Sequence, residues 1–138
     1  MGRIVSLNST GAVRQRLRRT IAEALHQLMA KSALDEDARD LAALIVFALR
    51  EIGAGVESSA SAWDKRGYYV KADRLRSDWS WADRYAERMA ALIRAGDWSR
   101  LPAVLAELAP RFADVQVHKV TRSAKVWRGA YGRLMAER

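Results

Sequence analysis

The sequence predicts an all-α protein: an up-down four-helix bundle with two long central helices and a basic C-terminal tail. Three observations carry that prediction. Apolar residues recur at spacings of three and four along most of the chain, the period of a helix with one buried face. The links between the periodic segments, at 32–34, 67–68 and 96–97, are short enough to turn neighbouring helices antiparallel. Among 138 residues there are only two prolines, and both fall in one segment. A chain of this length is expected to form one domain. It divides into a bundle over 1–113 and a basic tail over 114–138, with a short helix near 127–136.

The first helix is expected over about 11–31, with the side-chain oxygens of Asn8, Ser9 and Thr10 as N-cap acceptors. Its buried stripe is Val13, Leu17, Ile21, Ala24, Leu25 and Leu28. The second runs over about 35–66 and opens on Asp35, Glu36 and Asp37, three acids that complement the positive end of a helix dipole. Leu41, Ile45, Ala48, Leu49, Ile52, Val56 and Trp63 form its stripe, and Leu44, Val46 and Phe47 widen the apolar arc beyond one face. Such an arc predicts a central helix or contact with a second subunit. The small residues from 53 to 61 let a neighbour approach closely or mark a kink.

Gly67 is the expected stop, a glycine able to adopt positive φ after the helix end. The third helix follows over about 69–95, with Ala72, Leu75, Trp79, Ala82, Ala86, Met89 and Ile93 inward. The long pair would measure about 40–45 Å and outrun its neighbours, leaving the region from Trp63 to Trp81 uncovered. Asp97 is expected to cap a fourth helix that buries Trp98, Leu101, Val104, Leu105 and Leu108 and ends at Pro110. In the tail, Val115, Val117 and Val120 alternate briefly as an extended segment would, and Trp127, Tyr131 and Leu134 return to helical spacing.

Composition excludes several function classes. The absence of cysteine removes disulfide scaffolds, thiolate metal sites and a thiol nucleophile. No apolar run approaches the roughly 20 residues of a membrane span. The start, Met1 to Leu7, lacks the long apolar region of a signal peptide, so a cytoplasmic location is expected and no membrane partner. No phosphate loop, nucleophile elbow or metalloprotease signature is present. Glu23 and His26 have the spacing used in di-iron bundles, but they sit off the core stripe and have no second copy. His118 is expected in solvent. No catalytic residue, metal, cofactor or small-molecule substrate is therefore assigned.

Charge gives the positive signal. The net charge is +8, and it is unevenly placed. Residues 1–31 hold six basic side chains and one acid, residues 114–138 hold six and two, and the middle holds 12 and 13. Arginine outnumbers lysine 19 to 5, a bias that suits phosphate recognition and also follows from a GC-rich genome. The nucleic-acid-binding candidates are Arg14, Arg16, Arg18 and Arg19 at the start, Lys71, Arg74 and Arg88 in the third helix, and Lys119, Arg122, Lys125, Arg128 and Arg133 in the tail. Trp81, Tyr85, Trp127 and Tyr131 are the candidates for base stacking or for a subunit interface.

One segment interleaves aromatics with cations: Trp63-Asp64-Lys65-Arg66-Gly67-Tyr68-Tyr69-Val70-Lys71-Ala72-Asp73-Arg74-Leu75-Arg76. Aromatic faces stack on unpaired bases while cations neutralise phosphate. The competing structural reading places Trp63 and Trp79 in the core and packs Tyr68 and Tyr69 at the helix turn.

The four-helix layout, the basic excess, the opening Tyr69-Val70-Lys71-Ala72-Asp73-Arg74-Leu75 and the basic C-terminus with Trp127 resemble the accessory proteins of diversity-generating retroelements. Those proteins are relatives of the 23S rRNA intervening-sequence proteins. The resemblance implies a ring-shaped homo-oligomer that binds nucleic acid and a polymerase partner without catalysis. The chain is also similar to the small α-helical subunits of RNA-guided surveillance complexes. The expected function is a non-catalytic nucleic-acid-binding bundle, an accessory or subunit of a nucleoprotein complex and a homo-oligomer. A helical protein-interaction adaptor is the alternative. The nucleic-acid expectation fails if the terminal arginines are each engaged by a carboxylate of their own assembly.

Overall fold

In the computed structural model, which describes residues 10–137, the chain is all-helical, with five α-helices and no strand among the described residues. Arg3, Arg138 and the cap candidates Asn8 and Ser9 lie outside the described residues. The helices are α1 (Thr10–Met29), α2 (Glu36–Lys65), α3 (Tyr69–Arg94), α4 (Leu101–Leu108) and α5 (Ala130–Met135). Short 3-10 turns at Trp98–Arg100, Ala109–Phe112 and Ala124–Val126 join them. No helix among the described residues is long and apolar enough to cross a membrane.

α2 is the hub, packed by α1, α3 and α5. Its first turn is fixed by Asp35, which accepts from the Ala38 amide at 2.8 Å and pairs with Lys31. Leu41, Ile45, Val46, Leu49 and Ile52 are almost fully buried. The wide arc that called for a central position or a second subunit is met within the chain, because α5 lies against it. α2 and α3 form an antiparallel hairpin: the backbone of Gly53 faces Asp83, and Glu57 pairs with Arg76. A Cβ on Gly53 would run into the Asp83 carboxylate, so the small-residue segment does admit a close neighbour. α1 runs back along α2, with Thr10 beside Gly55 and Leu28 near Ala38.

The fourth helix is shorter than expected. Asp97 makes no capping bond; it accepts from Ser99 and pairs with Arg100 in a 3-10 turn, and the α-helix begins at Leu101. Leu101, Val104, Leu105 and Leu108 are buried as expected, whereas Trp98 is half-buried.

The tail returns to the bundle. Trp127, Ala130 and Leu134 belong to the same core cluster as α1, α2 and α3, and Val115 and Val117 pack against it. Two buried carboxylates hold this segment. Glu23 of α1, 1% exposed, accepts from the Thr121 amide at 3.0 Å, the Thr121 hydroxyl at 2.7 Å, the Arg122 amide at 3.1 Å and the Arg122 guanidinium at 2.6 Å. Asp40 of α2, 4% exposed, accepts from the amides of Gly129 and Tyr131 and so caps α5 from another helix. Glu137 pairs with both Arg50 and Arg94, fastening the end of α5 to α2 and α3.

Candidate nucleic-acid interface

Most of the cations singled out at the chain's two ends are already engaged. Arg18, 8% exposed, forms a bidentate pair with Asp114 at 2.6 and 2.9 Å and also donates to the Arg111 carbonyl. Asp114 is pulled below its ordinary carboxylate pKa chiefly by that hydrogen bond. Arg19 and Arg122 both reach Glu23, at 3.6 and 2.6 Å. Burial opposes the ionisation of Glu23, but the hydrogen bonds from Thr121 and Arg122 outweigh it, and its pKa lies below 4.5. Arg14 sits over the Trp79 ring at 5.1 Å, and the Arg16 carbonyl accepts from Arg122 at 3.3 Å. Arg18, Arg19, Glu23 and Arg122 fasten α1 to the C-terminal segment, and Arg14 reaches α3 instead. The expectation that Arg18, Arg19 and Arg122 stand free for phosphate is corrected, because an arginine held by an internal carboxylate gains little by leaving it for another anion.

The aromatic assignments change as well. Trp81 is 6% and Trp127 is 7% exposed, and both are core residues with no face open to a base. Trp81 packs edge-on against Phe112 at 5.8 Å. Tyr85 and Arg88 both bond to Glu107 and tie α4 to α3. Tyr131 is half-buried beside Trp98 at 5.9 Å. Glu23, expected off the core stripe, is buried against the tail, and His26 is exposed and shares none of its partners; no metal-ligating cluster occurs among the described residues.

Among the described residues, what remains open is the far end of the α2–α3 hairpin. α2 continues ten residues past Gly55, the level of Thr10, which carries the hairpin about 15 Å beyond the described part of α1. The region left uncovered by the described residues therefore includes the half-buried Trp63 but not Trp81. The turn itself is rigid. The Gly67 amide donates to the Asp64 carbonyl and the Tyr68 amide to the Trp63 carbonyl, both at 2.9 Å. These are the paired bonds of a Schellman motif, and they need Gly67 at its observed φ of +84°.

Tyr68, Tyr69 and Val70 stand 55%, 64% and 75% exposed at this turn. The first fully inward position of α3 is Ala72, so residues before it lie past the core. The expected packing of the two tyrosines at the turn is thus corrected. Around them are Lys65, Arg66, Lys71 and Arg74. Lys71 lies over the Trp63 ring at 4.5 Å, and among the described residues no hydrogen bond or ion pair engages the side chains of the other three.

A single arginine explains why these four are unpaired. Arg76 gathers the nearby acids, bonding to Glu57 at 3.0 Å, Asp64 at 2.8 Å and Asp73 at 3.3 Å. Its hydrogen bond to Glu57, helped by Ser61, lowers the Glu57 pKa to about 2. With three carboxylates drawn to Arg76, no ion pair joins the outward cations to a carboxylate among the described residues.

Lys119, Lys125 and Arg128 are also exposed, and Arg133 lies over Phe47 at 5.7 Å. The exposed aromatic rings among the described residues, Tyr68 and Tyr69, lie outside this segment. Lys65, Arg66, Tyr68 and Tyr69 are the site residues that periodicity alone passes over. The usable signal is the glycine break followed by a late first core position.

No protein-family model, curated protein or solved structure matches the chain.

Proposed function

We propose that the chain is a non-catalytic nucleic-acid-binding helical protein, an accessory or subunit of a nucleoprotein complex, and that its principal contact is the tip of the α2–α3 hairpin. The observation that supports this is the set Lys65, Arg66, Lys71 and Arg74, unpaired by any carboxylate and grouped around exposed tyrosines. Cations with no internal partner keep their full attraction for phosphate, and contacts of this kind fix position without reading sequence. The tail cations Lys119, Lys125 and Arg128 offer a second, weaker contact along a bound strand.

A mobility-shift titration at low salt tests this. The wild type is expected to shift labelled RNA or DNA, and the variant carrying Lys65→Ala, Arg66→Ala, Lys71→Ala and Arg74→Ala is expected to lose about tenfold or more in affinity. All four side chains are exposed, so the variant should keep its fold. No shift by the wild type with any single- or double-stranded nucleic acid would end this proposal.

The adaptor alternative has one observation in its favour. A groove of about 700 Å³ lies between the α1–α2 link and the start of α4, lined in part by Leu28, Met29, Leu34, Trp98 and Leu105. Met29 is 60% exposed there. Association through an apolar groove survives high salt, whereas association through the hairpin tip does not.

A further inference from the structure

We infer that the hairpin tip selects single strands, with the rings of Tyr68 and Tyr69 stacking on unpaired bases while the surrounding cations hold the phosphates. This rests on the nucleic-acid reading above and adds the class of polymer.

Among the described residues no hydrogen bond or ring contact engages the side chain of either tyrosine at the tip. In a Schellman motif the residue in the place of Tyr68 commonly packs on the residue in the place of Trp63. Here Lys71 occupies the Trp63 ring instead, and Tyr68 is left 55% exposed. Tyr69, on the first turn of α3, is 64% exposed. The two neighbouring rings and Val70 make an exposed apolar patch rimmed by cations, the kind of surface a partner can cover.

The chemistry around them names the partner. Lys65 and Arg66 close α2, and Lys71 and Arg74 follow on one face of α3, so positive charge flanks the rings on both helices. A shallow depression of about 560 Å³ joins Gly67, Tyr68, Tyr69, Val70, Lys71 and Arg74. A duplex would present only its backbone to this convex end, and its bases are already stacked. A single strand offers both phosphate and free base faces, and stacking on aromatic side chains is indifferent to sequence.

The experiment compares a fluorescent oligothymidylate single strand with a blunt DNA duplex of equal length, by anisotropy at low salt. Three proteins are titrated: wild type, Tyr68→Leu with Tyr69→Leu, and Tyr68→Phe with Tyr69→Phe. The wild type is expected to prefer the single strand by about tenfold or more. The leucine pair should lose that preference while duplex affinity stays the same, and the phenylalanine pair should retain it, since only the ring face is needed. Equal affinity for both polymers, unmoved by leucine, would overturn the stacking inference and leave the phosphate-binding proposal standing. Binding to neither polymer would overturn both. Tighter binding to phosphatidylserine vesicles than to the single strand, lost in the leucine pair, would reassign the tip to an anionic membrane surface.

Discussion

Replacing Glu23 with alanine is expected to detach the C-terminal segment from α1 and to lower stability by about 3 kcal/mol, toward the lower end of what breaking a buried ion pair costs. The carboxylate is 1% exposed and satisfies two amides, a hydroxyl and a guanidinium of residues 121 and 122. Alanine leaves the two amides and the Thr121 hydroxyl without their acceptor and removes the counter-charge of Arg122, whose guanidinium keeps its bonds to the Thr20 hydroxyl and the Arg16 carbonyl. The loss stays toward the lower end because the Arg122 side chain keeps 24% of its exposure and regains some water. Urea denaturation measures the loss, and amide exchange at Thr121 and Arg122 locates it. The same contact sets a pH dependence. The folded pKa of Glu23 is held below 4.5, so its contribution is complete above that value and declines as pH falls below it. Glu23→Ala should flatten that part of the stability profile. A loss under about 0.5 kcal/mol, the size of an ordinary surface change, would show that Glu23 does not hold the tail.

Trp127→Ala is expected to cost about 3–5 kcal/mol, the range for deleting a large aromatic from a core. The ring is 7% exposed and lies among Ala24, Leu41 and Leu44 at the seam of α1 and α2. Its removal opens a void that the bundle cannot close without moving α5, because Asp40 fixes the backbone two residues on at Gly129. Domains commonly hold about 5–15 kcal/mol in reserve, so the variant should melt far below the wild type in a thermal scan. A melting point within a degree or two of wild type would place Trp127 outside the core.

Helices α2 and α3 were legible because long apolar stripes at helical spacing leave few other ways to bury them. Asp35 and Gly67 marked their ends through local chemistry, a side-chain cap and a positive φ. The tail was harder to read. Its anchors, Thr121 and Arg122 on Glu23 and Gly129 on Asp40, join residues about 90–100 positions apart, and no local pattern encodes such pairings. The same gap misdirected the charge reading. Arg18 is charged wherever it lies, but whether it is available depends on Asp114 lying beside it. Likewise Trp81 and Tyr68 are both aromatics near cations, and only packing makes one a core residue and the other a surface. The hairpin tip stood within the aromatic-cationic segment from the start. What the sequence concealed was that Arg76 would collect the neighbouring acids and leave the rest of the segment positive.

The salt dependence of single-strand affinity, compared between two sets of alanine variants, tests the central assignment most directly. One set replaces Lys65, Arg66, Lys71 and Arg74 at the tip, and the other replaces Lys119, Lys125 and Arg128 in the tail. Each lost phosphate contact should reduce the slope of log affinity against log salt by about 0.7 for a single strand. The tip set should flatten the slope by about 2–3 and the tail set by less than about 1. A tip variant whose slope matches wild type, beside a tail variant whose slope collapses, would contradict the assignment and return the polyanion to the other end of the molecule.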